Sequence, residues 1–311
     1  MMVETPTEEA PAFLRGVTGP RRPRIALMGE FSAGKSTLAN LMIGSDPLPV
    51  QVIATQLPPI WISYGTGPAA IVDLDGNETP CDLETLQEIV AEETAFIRIQ
   101  CEEEILKMCD LIDMPGISDP NMSSEVWERL LPVADGVVWC SPATQAWRQS
   151  EASVWDMVPE AIREHSILLL TRADMLMSDR DRAKVLKRVC AETDALFAHT
   201  LMISLTQARD GEDDPELWEE CGADPFVHAF LEIIGDLAGA REDAISDNTP
   251  TSSAQPDADA MSCPADLSEG ENGSEAGDRV VPRRPVAKSV RARPVPRPDY
   301  EEDLSLSPKF S

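Results

Sequence analysis

Eight consecutive residues, Gly29-Glu30-Phe31-Ser32-Ala33-Gly34-Lys35-Ser36, match the pattern G-x-x-x-x-G-K-S/T in full. The glycines let the backbone curl so that successive N–H groups face phosphate oxygens, and a helix opening at Lys35 adds the favourable partial charge of its N-terminus. In such a loop the Lys35 ammonium reaches the β- and γ-phosphates of a nucleoside triphosphate, and the Ser36 hydroxyl binds Mg²⁺. Residues Gly29 to Thr37 are therefore candidate nucleotide ligands.

Asp113-Met114-Pro115-Gly116 ends a later apolar run. Alone, D-x-P-G is a turn signal. Behind a phosphate loop, Asp113 is placed to hold Mg²⁺ through water, and the Gly116 N–H to sense a γ-phosphate. Thr171-Arg172-Ala173-Asp174 closes another apolar run, where guanine-specific sites carry N/T-K-x-D. A carboxylate at Asp174 accepts from guanine N1–H and its 2-amino group, and adenine lacks that donor pair. Arg172 replaces the usual Lys, and its planar guanidinium can also stack on a base. Ser204 lies where a final loop brushes the base. Thr55 is the only threonine between Pro47 and Pro59, so it is the candidate for Mg²⁺ and for the attacking water. Together these residues imply GTP and GDP as ligands, with Mg²⁺.

The elements that must position them alternate between strand-like and helix-like segments from Arg24 to about Leu237, as in an α/β domain with a mostly parallel sheet. Strands are expected at 24–28, 60–64, 69–74, 96–100, 110–113, 136–140, 166–171 and 201–204. Helices are expected from Lys35 to Ile43, ended by Gly44, and from Asp82 to Glu93 with Leu83, Leu86, Ile89 and Val90 inward. A third runs over 224–237, capped by Asp224, with Val227, Phe230, Leu231, Ile234 and Leu237 on its inner face. The reading is an N-terminal extension over 1–20, a P-loop three-layer sandwich over 21–240, and a disordered tail over 241–311. That tail is Ser-, Pro- and acid-rich to residue 278, then carries seven Arg and Lys without an acid over 279–297. The basic block could meet anionic lipid, nucleic acid or the acidic body, or serve as a solvated linker.

Residues 1–240 hold 17 Lys and Arg against 41 Asp and Glu. Such a field repels polyanions, so no nucleic-acid partner is expected, and a ribosome-associated role is disfavoured. Seven cysteines with no C-x-x-C pair suggest thiols of a reducing cytoplasm, and three scattered histidines argue against zinc. The N-terminus does not read as a signal peptide, and no apolar run suits a membrane span, so a soluble chain is expected. Trp147-Arg148, beyond a strand end, could anchor a partner or simply pack.

The run GEFSAGKSTLANLMIG resembles the phosphate loop of the dynamin superfamily, particularly its bacterial dynamin-like members. LPVQVIATQLPPIWISYG resembles their first switch, and Ser141-Pro142-Ala143 with Ser150-Glu151 resembles their S-P-A…S-D segment. The resemblance implies a dynamin-type G domain, GTP hydrolysis to GDP and phosphate, and activation by homodimeric pairing of G domains. It also implies Ser32 as ligand of a K⁺ or Na⁺ ion. Three residues depart from that pattern. Phe31 stands where eukaryotic dynamins orient water with Gln, Ala146 where they carry an Asp facing a partner G domain, and Asp119 where a basic residue follows D-x-P-G. No helical stalk follows the domain, so a stalk-bearing dynamin-like partner is implied. Any membrane contact would be indirect or through the basic block, at the inner membrane. The competing reading is a nucleotide-dependent interaction module with negligible hydrolysis.

Overall fold

The computed structural model describes residues 11–14, 22–44, 57–82, 86, 89–119, 122–211 and 214–247. Thr55 and the tail beyond residue 247 lie outside them, and so do the roles expected of both. Nine strands are present among the described residues: β1 (Arg24–Gly29), β2 (Ile60–Tyr64), β3 (Ala70–Asp73), β4 (Glu78–Pro80), β5 (Thr94–Cys101), β6 (Asp110–Asp113), β7 (Gly136–Pro142), β8 (Ser166–Thr171) and β9 (His199–Met202). The described helices are α1 (Lys35–Ile43), α2 (Ile105–Met108), α3 (Glu125–Glu128), α4 (Gln149–Trp155), α5 (Glu160–Arg163), α6 (Asp179–Glu192), α7 (Leu205–Asp210), α8 (Pro215–Glu220) and α9 (Ala223–Asp247).

The strands form one sheet in the order β4-β3-β5-β2-β6-β1-β7-β8-β9. β1, β6, β7, β8 and β9 run parallel, whereas β2 lies antiparallel to β6, and β3 and β4 continue the antiparallel edge. Successive side chains of a strand face opposite sides. In β1, Ile25 and Leu27 enter one apolar cluster with α1, α7 and α9, while Ala26 and Met28 enter another with Trp139, Trp155 and Val189. Both faces are covered, which explains why β1, β6 and β8 are buried throughout and why β1 and β8 read as apolar runs without alternation.

Several expectations shift. β9 begins and ends two residues earlier than expected, so Ser204 belongs to the cap of α7, where its hydroxyl accepts from the Gln207 N–H. β4 was not anticipated, because its three residues are all exposed and carry no apolar signal. Between residues 89 and 93 the chain turns instead of continuing a helix. The Ile89 and Glu93 N–H groups reach carbonyls three residues back, and Val90 is half exposed while Ala91 is buried.

The inner face of α9 is Phe226, Ala229, Phe230, Ile233, Ile234 and Leu237, with Val227 and Leu231 left over a third exposed. Its first residue is Ala223, which puts Asp224 inside the first turn and not at the cap. The helix also runs through residue 240 to Asp247, so the expected domain boundary falls within it.

Of the N-terminal extension, residues 11–14 are described. Ala12–Leu14 form a 3-10 turn that buries Phe13 in edge contact with Phe96, at a centroid distance of 6.2 Å. Phe96 in turn packs on Trp61 of β2. Truncating this ring leaves a hole in one core layer. Phe13→Ala is therefore expected to lower unfolding free energy by about 3 kcal/mol in a denaturant titration. An unchanged midpoint would show the turn to be peripheral.

Candidate functional site

The parallel strands β1, β6 and β8 bring their carboxyl ends to one edge of the sheet, where open α/β sheets gather ligands. A cleft of about 540 Å³ opens there. Residues 31–37 line it from one side, Asp113 to Gly116 from another, and Thr171, Arg172 and Asp174 from a third.

β1 stops at Gly29, whose φ of +136° is open to glycine, and a Cβ there would lie 2.1 Å from the Cys140 carbonyl oxygen of β7. The chain thus turns away from the sheet with β7 packed against it. α1 starts at Lys35, one residue after the left-handed Gly34. Lys35 is buried, and its Nζ donates to the carbonyls of Gly29 at 3.1 Å and Glu30 at 2.8 Å. Burial lowers the Lys35 pKa, opposed by the nearby Asp113 carboxylate. Burial likewise raises that of Asp113, opposed by Lys35 and by the Ser36 hydroxyl. Each charge thus offsets part of the desolvation of the other.

Ser36 Oγ donates to Asp113 Oδ2 at 2.6 Å, while Asp113 Oδ1 is buried with no hydrogen-bond partner among the described residues. A hydroxyl and a carboxylate with one orphaned oxygen form the hard-oxygen donor set that Mg²⁺ prefers. The residues fit that ion. Gly116 lies against the loop: a Cβ there would come within 2.8 Å of the Phe31 backbone nitrogen and Cα. The Phe31 N–H itself donates to Ser118 Oγ at 3.3 Å, and the phenyl ring is half exposed at the rim.

At the other end of the cleft, the Thr171 hydroxyl donates to the Ala33 carbonyl at 2.8 Å, entirely buried. Arg172, in a left-handed conformation at φ 57°, donates from Nη2 to the Ser32 carbonyl at 2.6 Å. The segment from Thr171 to Asp174 is thereby tied to the phosphate loop. Ser204 Oγ donates to Asp174 Oδ1 at 2.7 Å. Ser204 is fully buried, so it orients Asp174, and the neighbouring Leu205 and Thr206 line the cleft instead. Their position directly after a candidate loop residue was the available signal. Glu30 also departs from expectation, because its side chain turns from the cleft toward Arg148 and Ser150. Asp119 and Met122 line the cleft without having been proposed as ligands. Trp147 is half buried, edge-on to Trp139 and Phe197, which is the packing alternative for that residue.

A sequence profile described as Dynamin family matches residues 25–196. The chain belongs to the dynamin family. Its described part is a dynamin-type GTPase domain. It is 27% identical over 192 residues to Dynamin-like protein 2 of Campylobacter jejuni subsp. jejuni serotype O:23/36 (strain 81-176), over 60% of this chain and 31% of that protein. It thus spans about a third of the length of this curated relative.

Two solved chains share the dynamin fold with it. Both come from an oligomerised bacterial dynamin pair described as a mechanism for long-range sensing and tethering of membranes. One has a TM-score of 0.54 and 17% identity over 73% of this chain and 46% of its own. The other has a TM-score of 0.54 and 18% identity, over 76% of this chain and 43% of its own.

The link between Thr171 and the phosphate loop has a direct test. Thr171→Val keeps the side-chain shape but leaves the buried Ala33 carbonyl without this donor. A loss of about 1–2 kcal/mol in unfolding free energy is expected from chemical denaturation. No loss would show that the bond contributes nothing to holding the two segments together.

Proposed function

We propose that this domain binds GTP with Mg²⁺ and hydrolyses it to GDP and phosphate, as a switch working by homodimeric pairing of G domains or with a stalk-bearing dynamin-like partner. The carrying observation is one cleft with a buried lysine and a Ser36–Asp113 pair at one end, and a carboxylate aimed by Ser204 at the other. The first end suits a triphosphate, and the second suits the donor edge of guanine. Placement at the inner membrane through a partner, from a cytoplasmic location, belongs to the same proposal.

Hydrolysis in such a site is electrostatic. Lys35, fixed by two carbonyls, stabilises charge on the β- and γ-phosphate oxygens. Backbone N–H groups of the loop add to it, and Arg172, whose Nη2 donates to the Ser32 carbonyl, would stack on the base. Ser36 and Asp113 would hold Mg²⁺, which neutralises phosphate charge when bound. The Gly116 N–H and Thr55 are the remaining candidates to place the attacking water. A K⁺ or Na⁺ ion beside Ser32 would supply further positive charge.

The second reading, an interaction module with negligible hydrolysis, is favoured by two observations. Phe31 presents a ring without a hydrogen-bonding group, and Ala146 is buried with its carbonyl accepting from Arg188 Nη2 at 2.9 Å. Neither can place water or meet a partner as the side chains at these positions in eukaryotic dynamins would.

Titration of labelled GTP and ATP in Mg²⁺ buffer should show a preference for GTP on the order of a hundredfold, since Asp174 sets an acceptor against adenine N1. Asp174→Asn should move the preference toward xanthosine triphosphate, and equal GTP and ATP affinity would sink the assignment. Turnover per molecule should rise with protein concentration if G domains pair. Flat specific activity at the background rate, with K⁺ present, would instead select the non-hydrolysing module.

A further inference from the structure

The phosphate loop contains a buried carboxylate that binding of a polyanion does not call for. Glu30 is only 6% exposed. Burial strips its water, and its charge stands beside the cleft where a triphosphate would lie. Both oxygens are nevertheless engaged from a distant part of the chain. Oε2 accepts from Arg148 Nη1 at 2.6 Å, and Oε1 accepts from the Ser150 hydroxyl at 2.7 Å.

Arg148 is itself held in place. Its N–H donates to Glu151 Oε2 at 2.9 Å, and the buried Glu151 also accepts from Ser141 Oγ and Trp139 Nε1, both at 3.0 Å. On the loop side, the carbonyl of Glu30 accepts from Lys35 Nζ at 2.8 Å and from the Ala33 N–H at 3.2 Å. A carboxylate gripped at both oxygens fixes the residue whose carbonyl aims Lys35.

We propose that Arg148 is a positioning residue of the phosphate loop, acting through Glu30; the proposal rests on the GTP-binding reading above. Arg148 does two things at once. It cancels a negative charge that would otherwise repel the phosphates, and with Ser150 it clamps the backbone that directs Lys35. The loop following β7, which carries Ala146 and Trp147, is thereby coupled mechanically to the phosphate loop.

The test measures fluorescent GTP and GDP affinity of the full chain in Mg²⁺ buffer, alongside melting without nucleotide. Arg148→Gln should weaken GTP binding about tenfold, because it strands a buried carboxylate. The loss should be smaller for GDP, which carries less charge, and Arg148→Lys should keep most of the affinity. Adding Glu30→Gln to Arg148→Gln should restore much of the loss, since the stranded charge is gone. A scaffolding role alone would leave the double variant as impaired as Arg148→Gln, since the same contact is lost in both, and that result overturns the proposal. So does an Arg148→Gln variant that binds GTP like the unaltered chain.

Should Arg148→Gln fail to fold, Ser150→Ala leaves the ion pair intact and should cost a few-fold in GTP affinity. No loss there is equally fatal. If the unaltered chain binds no guanine nucleotide, the GTP reading falls and takes this proposal with it. Normal binding with an indifferent Arg148 removes the proposal alone.

Discussion

An ammonium group taken out of water must be given other oxygens, or it loses its charge. Lys35 is buried at the start of α1, and the geometry around it answers that demand. The carbonyls of Gly29 and Glu30 supply the oxygens, which requires β1 to end in a tight curl. The curl is possible because Gly29 has no side chain to meet β7. The Asp113 carboxylate, at the end of β6, is close enough to oppose the shift that burial imposes on Lys35. The parallel strands β1, β6 and β8 therefore end together because each delivers one part of the same polar assembly.

Most of that assembly could be read from residue types. Gly29 to Ser36, Asp113 to Gly116 and Thr171 to Asp174 lie at strand ends, where backbone direction alone decides what converges. What could not be read was which way a side chain turns once it arrives. Glu30 sits in the motif yet faces Arg148, and Ser204, expected against the ligand, instead donates to the Asp174 carboxylate. Both outcomes depend on contacts across long stretches of chain, which spacing does not encode.

The misread elements have a common cause. Spacing rules suppose that an apolar residue faces inward, but α9 carries more apolar residues than one face can bury. Phe226 and Ile233 won the inner face, and Val227 and Leu231 did not. Residues 89–93 show the converse: Val90 fits a helical stripe, yet the chain turns so that Ala91 is buried in its place. β4 carries no apolar signal at all, because it is fixed by backbone pairing to β3 at the sheet edge. Phe13 was invisible for a different reason. A lone aromatic near a chain end has no periodicity to betray a tertiary contact.

The aromatic stack beside α4 gives the domain a built-in optical probe. Trp139, Trp147, Trp155 and Phe197 lie with ring centroids between 4.0 and 6.2 Å apart in successive contacts. Trp147 directly precedes Arg148, and its N–H is bonded to Ser141 Oγ at 3.1 Å. Indoles this close exchange excitation, and the half-buried ring of Trp147 also samples solvent polarity. A shift of the Arg148 backbone would tilt that ring against its neighbours. Through the proposed Arg148–Glu30 clamp, near-ultraviolet dichroism of this cluster would report on the phosphate loop, over the contribution of Trp61, Trp127 and Trp218.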